Sequence, residues 1–191
     1  MYIIGGSLKK RRIFSPKDNV IRPISSKLQA AIFDFSFMQE NIRDTYVLDL
    51  FSGTGVLGLE ALSRGALECV FVDVDTTLVK KNISLCKCQK QSIIIQKDWK
   101  KSLDILKNKT KRFDIIFVDP PYELQNYSEV LEAVAEKELL ETSGYICIKH
   151  STKCLMKDRI KNVHIFCQRQ YGTNTLTFYE RENTYEIIRK T

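Results

Sequence analysis

The chain has 191 residues and a mass of 22.2 kDa, the size of one compact domain with at most a small appendage. Hydrophobic residues make up 43% and charged residues 28%, which excludes a disordered or fibrous chain, and no apolar run approaches the roughly 20 residues of a membrane span. The formal net charge of +7 points to a polyanionic partner, and residues 1–30 carry +6 of it through Lys9, Lys10, Arg11, Arg12, Lys17, Arg22 and Lys27 against Asp18.

In chain order, Tyr2–Ile4 and Arg12–Phe14 are short runs that can pair around Gly5-Gly6. Ser25 or Ser26 can cap a helix reaching Phe37, with Ala30, Ala31, Phe33 and Phe37 near helical spacing. Residues 1–40 therefore read as a basic extension docked on a main domain, residues 41–191. In that domain five short runs are apolar on both faces: Tyr46–Phe51, Cys69–Asp73, Ser92–Gln96, Phe113–Val118 and Gly144–Ile148. Such runs predict buried parallel strands. Helix-compatible segments separate or follow them: Val56–Arg64, Thr76–Lys90, Lys100–Lys109, Ser128–Leu140 and Thr152–Ile160. The alternation predicts an α/β sheet with helices on both faces. At the end, Val163–Tyr171 and Thr175–Glu182 flank Gly172-Thr173-Asn174 with no room for a helix, so they predict an antiparallel hairpin.

Six cysteines are scattered without a CxxC pair, and His150 and His164 lie far from Cys86-x-Cys88. No zinc site is expected, and the thiols read as reduced and mostly buried, the pattern of a cytoplasmic protein. The start, Met1-Tyr2-Ile3-Ile4-Gly5-Gly6, lacks the basic and apolar regions of a signal peptide.

The first functional element is Asp49-Leu50-Phe51-Ser52-Gly53-Thr54-Gly55-Val56-Leu57-Gly58, between a strand and a helix. Gly53 and Gly55 let a ligand approach the backbone, and Gly58 lets helix and strand pack closely. Asp73, 20 residues beyond Gly53, ends the next strand, where a carboxylate can accept from both ribose hydroxyls of an adenosine. Gly53-x-Gly55-x-x-Gly58 also fits an NAD fingerprint. Asp49 opposes that reading, because a diphosphate would meet a negative charge, whereas S-adenosylmethionine (SAM) has a cationic amino-acid tail. Asp98, after the third strand, can accept from an adenine amine, and Trp99 can flank the ring. Asp98 fits a helix N-terminus equally well.

The second element is Asp119-Pro120-Pro121-Tyr122 at the end of a buried strand. The prolines fix two φ angles and leave free carbonyls. The Asp119 carboxylate and the Pro120 carbonyl then offer two acceptors to the two N–H groups of an exocyclic nucleobase amine, and Tyr122 can stack on the base. Such an amine is a poor nucleophile. Two acceptors on its hydrogens favour a pyramidal nitrogen aimed at a methyl sulfonium, and positioning of this kind can supply about 7–11 kcal/mol. A target base must leave its stack to reach such a loop, so a wedge is expected, with Phe14 and Tyr122 as candidates.

Asp119-Pro120-Pro121-Tyr122 resembles the motif of SAM-dependent methyltransferases that act on nucleobase amines. The string from Asp49 to Ala66 narrows the resemblance to the RsmD-like 16S rRNA guanine-N2 methyltransferases, as do Ile3-Ile4-Gly5-Gly6 with Arg11, Arg22-Pro23, Ala31-x-Phe33, Asn82 and Tyr171-Gly172. The resemblance spans residues 2–182. It implies a Rossmann-like methyltransferase fold with a seven-stranded, mostly parallel sheet and SAM as methyl donor. The acceptor it implies is a guanine of bacterial 16S rRNA, guanine 966. It also implies that Asp49, Gly53 and Gly55 line the methionine part, that Asp73 holds the ribose and that Asp98 holds the adenine; Phe51, Thr54 and Trp99 are further cofactor-binding candidates. Asp119, Pro120, Pro121 and Tyr122 would hold the guanine. Residues 1–40 become an RNA-docking extension, with Lys9, Lys10, Arg11, Arg12 and Arg22 on the phosphates. The chain departs from the family pattern at Lys10, Ile21 and Lys149, where glycine, threonine and an acid are usual. The expected partner is 16S rRNA within an assembling or complete 30S subunit, met by a cytoplasmic monomer without a metal. The rival readings are a DNA adenine-N6 or cytosine-N4 methyltransferase and a non-catalytic nucleic-acid-binding module. A second basic run, Lys97–Arg112, is as compatible with a solvated face as with RNA.

Overall fold

Strands that are apolar on both faces need cover on both faces, and that requirement organises the molecule. The computed structural model describes residues 1–16, 24–121 and 127–181. Helices α1 (Ser26–Phe33) and α2 (Ser36–Asn41) precede β1 (Tyr46–Leu50), α3 (Val56–Ser63), β2 (Glu68–Asp73), α4 (Thr77–Cys86) and β3 (Ser92–Gln96). Then follow α5 (Trp99–Asn108), β4 (Phe113–Val118), α6 (Tyr127–Glu136), β5 (Leu140–Ser151), β6 (Arg159–Ile160), β7 (Val163–Tyr171) and β8 (Asn174–Arg181). They form one sheet in the order β3-β2-β1-β4-β5-β8-β7-β6. β1 to β5 run parallel, and β8 enters antiparallel against β5.

The two-residue side-chain period splits the core into two layers. Val47, Phe71, Ile115, Phe117 and Cys147 face one layer with α1 to α4. Leu48, Leu50, Val70, Val72, Ile116 and Ile148 face the other with α5 and α6. The N-terminal residues Ile3 and Ile13 are buried in the first layer, so residues 1–16 share its core.

The predicted strands and C-terminal hairpin are present, with five adjustments. The helix expected over Thr152–Ile160 is absent: the segment turns and ends in the edge strand β6, which makes the sheet eight-stranded. Leu155 there is 94% exposed, so the segment has no apolar stripe to bury as a helix. The Tyr179 hydroxyl instead donates to the Lys157 carbonyl at 2.8 Å. The helix expected to reach Phe37 breaks at Phe35, whose ring packs edge-on against Phe178 at 4.5 Å. Ser25 supplies the predicted cap, accepting from the Leu28 N–H. The helix expected to reach Lys90 stops at Cys86, where Lys87 adopts φ +59. The hairpin turn is Gly172-Thr173, since Tyr171 already pairs with Asn174.

The fifth adjustment concerns Gly5-Gly6. Tyr2 and Arg12 do bridge, but a 3-10 turn over Gly6–Leu8 lies between them. The glycines serve close approach to α3. A Cβ at Gly6, where φ is +68, would lie 1.8 Å from the Ser63 carbonyl oxygen, and one at Gly5 would lie 2.4 Å from the Arg64 guanidinium. All eight residues of α3 are buried, because the sheet covers one side and the N-terminal segment the other. Glu60 is fully buried and joins the two: its carboxylate accepts from the Ile4 N–H (2.8 Å), Gln29 Nε2 (3.0 Å) and Arg64 Nε (2.8 Å). Removing one partner of such a buried charged network costs about 3–5 kcal/mol. Glu60→Ala is therefore expected to lose stability of that order in urea unfolding. A loss under about 1 kcal/mol, the worth of an exposed pair, would show that the network does not anchor the segment.

Candidate active site

The carboxyl ends of β1, β2 and β4 bring the two motifs together. β1 pairs with both β2 and β4, with Leu50 opposite Val72 and Val118. The residues after each strand therefore converge on one edge of the sheet, the ligand edge of an open α/β fold.

After β1 the chain turns sharply. Phe51 adopts φ +66, Gly53 φ +50 and Gly55 φ +75. For Phe51 that conformation costs about 1–2 kcal/mol, a local strain of the kind found at ligand sites. Gly55 opens α3 from the left-handed region. A Cβ at Gly53 would meet nothing within 4 Å, so the backbone there faces open space. The Gly53 N–H donates to Asp73 Oδ2 at 2.7 Å, and the Asp75 N–H donates to Asp73 Oδ1 at 3.1 Å. Gly58 packs where the sequence requires no side chain: a Cβ would lie 2.4 Å from the Phe71 ring.

Asp49 is 2% exposed and accepts the Gly58 N–H at 3.0 Å. Burial pushes its carboxyl up to about 8, against the Gly58 hydrogen bond and with further upward pressure from the charges of Asp119 and Asp73. A cationic ligand group would favour the ionised form of such a buried acid. Ser52 Oγ is also buried and lacks a hydrogen-bond partner among the described residues. The open face at Gly53, the partnerless Ser52 hydroxyl, Asp49 and the Asp73 carboxylate together fit the amino-acid and ribose parts of SAM.

On the adenine side, the rings of Phe51 and Trp99 stand 6.4 Å apart with planes tilted by 54°. Asp98 caps α5, accepting the Lys101 N–H at 3.0 Å, and the same bond lowers its carboxyl below the ordinary range. The helix-terminus reading of Asp98 is thus realised. Thr54 is buried at the loop, and its carbonyl accepts from Asn82 Nδ2 at 2.8 Å. Asn82 also accepts the Phe14 N–H and donates to the Phe14 carbonyl, at 2.8 and 3.0 Å. One buried amide therefore ties the glycine loop to the N-terminal segment and fixes Phe14, whose side chain is half exposed.

After β4, Pro120 is buried and Pro121 exposed. Asp119 pairs with Lys149 at 2.5 Å, with side chains 20% and 10% exposed. Burial raises the Asp119 carboxyl, and the Lys149 charge opposes that rise. Tyr122 lies outside the described residues, as does Arg22. Lys9, Lys10, Arg11 and Arg12 are all exposed. In the second basic run Lys100, Lys101, Lys111 and Arg112 stand in ion pairs with Glu129, Asp98, Glu68 and Glu138, which favours the solvated-face reading. Two site neighbours escaped the sequence reading of chemistry. Asn82 stood out only through the family pattern, and Lys149 only as a departure from it. The signal for Lys149 was its place after the fifth strand, on the ligand edge.

A family profile covers residues 1–180. The chain belongs to the family described as conserved hypothetical protein 95. It is similar to ribosomal RNA small subunit methyltransferase D of Buchnera aphidicola, with 30% identity over 158 residues, 80% of this chain and 79% of that one. The protein of the same name from Escherichia coli is 25% identical over 183 residues, 94% of this chain and 89% of that one. Among solved structures, a hypothetical protein of Thermus thermophilus superposes with a TM-score of 0.81 at 26% identity, covering 94% of this chain and 99% of that one. This conserved hypothetical protein 95 member thus keeps the Rossmann-like α/β sheet, mostly parallel and ending in an antiparallel hairpin. All six of its cysteines are free thiols, four of them buried. No described helix is long and apolar enough to cross a membrane.

Proposed function

We propose that this protein transfers a methyl group from SAM to the exocyclic N2 amine of a guanine in bacterial 16S rRNA, guanine 966. The observation that carries the reading is the junction of two loops at neighbouring strand ends. The Asp49–Gly58 loop after β1 fits the methyl donor, and Asp119-Pro120-Pro121 after β4 fits an amine acceptor. The names of the Buchnera and Escherichia coli relatives support rRNA as the substrate class. When bound, SAM supplies a methyl carbon made electrophilic by its sulfonium.

The residues of this chain do the rest by position. Asp49 places a negative charge beside the cationic portion of the donor. Asp73 turns from the Gly53 N–H to the ribose hydroxyls, and Phe51 and Trp99 flank the adenine. Asp119 and the Pro120 carbonyl accept the two amine hydrogens and aim the nitrogen lone pair, while Pro121 stiffens the loop and Tyr122 stacks on the base. The amine proton leaves after the methyl has moved, so no strong base is required. Lys9, Lys10, Arg11, Arg12 and Arg22 hold phosphates, and Phe14 occupies the gap left by the extruded base. The extension of residues 1–40 is the RNA-docking part and residues 41–191 the catalytic part. The protein works as a cytoplasmic monomer on rRNA in an assembling or complete 30S subunit.

Calorimetry with SAM and with NAD, followed by labelled methyl transfer to rRNA and to DNA, tests the reading. SAM binding and label on rRNA are expected. A preference for NAD, or label on DNA alone, contradicts it, and no SAM binding would make the chain a non-catalytic binding module. Within this reading, replacing Lys9, Lys10, Arg11 and Arg12 together by Ser is expected to flatten the plot of log affinity for rRNA against log salt by about three. SAM affinity should stay unchanged. An unaltered salt slope would remove the segment from the RNA contact.

A further inference from the structure

We propose that Lys149 is a positioning residue for methyl transfer: its ammonium pins Oδ1 of Asp119 and leaves Oδ2 as the oxygen presented to the amine. The inference rests on the methyltransferase reading and adds a residue to its machinery.

The sheet sets the pair. β4 and β5 run parallel with Val118 opposite Ile148, so the next residue of each strand, Asp119 and Lys149, stand side by side at the ligand edge. Lys149 Nζ lies 2.5 Å from Asp119 Oδ1. That oxygen is fully enclosed and meets the ammonium as an ion pair, without hydrogen-bond geometry, while the Asp119 side chain is 20% exposed, so its open surface belongs to its other atoms. A carboxylate left alone can rotate and offer either oxygen. One held by a nearly buried ammonium has a single orientation, and a positioning error of about 1 Å in such a site can cost on the order of 100-fold in rate.

Among the described residues, the other groups around Asp119 do not substitute for Lys149. Asp49 on β1 and Cys147 on β5 face it, with Asp73 beyond Asp49 and Cys167 beside Cys147. The carboxylates repel a negative Asp119, and the Cys147 thiol, deep in the core, is held neutral by burial. Lys149 is the cation that offsets the desolvation of Asp119. An opposite charge at this range lowers an aspartate by about one to three pH units. The sign follows. Methyl transfer needs the ionised carboxylate, so activity falls as pH drops through the Asp119 titration. Without Lys149 that limb moves to higher pH.

The test compares wild type, Lys149→Met and Lys149→Arg by two readouts. The first is the Asp119 carboxyl carbon followed by NMR across pH in the protein without cofactor. The second is the pH profile of kcat for rRNA methylation. In Lys149→Met the Asp119 titration should move up by at least about one pH unit. The acid limb of kcat should follow it, with kcat at neutral pH down about tenfold or more and KM for SAM little changed. Lys149→Arg should restore most of both. An Asp119 titration at the same pH in wild type and Lys149→Met overturns the proposal, as does a loss of kcat that is equal at every pH. A shifted titration in a protein that methylates no RNA would uphold the coupling and overturn the methyltransferase reading instead.

Discussion

Asp119→Ala is expected to bind SAM as wild type does and to lose turnover by on the order of 10²–10³-fold. Removing one preorganised polar group from a reacting centre has that size of effect. In the proposed mechanism Asp119 accepts an amine hydrogen, and its carboxylate also pairs with Lys149. Alanine deletes both and removes one carboxylate partner of a nearly buried ammonium, so Asp119→Asn belongs in the same experiment. Asparagine keeps the shape but its amide can face the amine as a donor, and turnover should fall similarly. Calorimetry with SAM and single-turnover transfer of labelled methyl separate binding from chemistry. Unchanged turnover in either variant would remove Asp119 from the reaction.

The second large effect is a pH dependence of cofactor binding, and its sign distinguishes two ligands. With its carboxyl pushed up to about 8, Asp49 holds a proton through most of the neutral range. A cationic ligand binds best to the ionised form, so binding must release that proton. SAM affinity should rise about tenfold per pH unit well below pH 8, about 50-fold in all between pH 6 and pH 8, and level off above. Calorimetry in two buffers of different ionisation enthalpy should register close to one proton released at pH 6.5. Asp49→Asn should bind more weakly and lose this dependence. An anionic dinucleotide would show the reverse slope, with affinity falling as pH rises. A flat profile in wild type would mean that Asp49 does not face the cationic portion of the ligand.

Much of the candidate site could be read from the chain because its residues sit in contiguous stretches. The Asp49–Gly58 loop and Asp119-Pro120-Pro121 follow strands that are apolar on both faces, and strand burial places both motifs at one edge. The remainder depended on register and close approach, which leave weak local traces. Lys149 meets Asp119 only because β5 lies beside β4 with Ile148 opposite Val118. Gly5-Gly6 resembles a hairpin turn in sequence, yet its glycines make room for the Ser63 carbonyl and the Arg64 guanidinium, 57 to 59 residues away along the chain. The segment Thr152–Ile160 has helix-compatible composition, but it turns and ends in an edge strand, with tertiary bonds such as Tyr179 to the Lys157 carbonyl holding it there. The concentration of positive charge in residues 1–30 has also gained a structural setting. Exposed Lys9 to Arg12 sit on a segment tied to the cofactor loop through Asn82 and Glu60's helix.

The central claim is that the amine held at Asp119 is the N2 of a guanine in small-subunit rRNA. The most direct measurement incubates the protein with labelled SAM and 30S subunits that lack the modification, then maps the labelled nucleotide. One labelled position is expected, a guanine methylated at N2 in 16S rRNA. Label on adenine or cytosine, or label only when DNA is supplied, would contradict it.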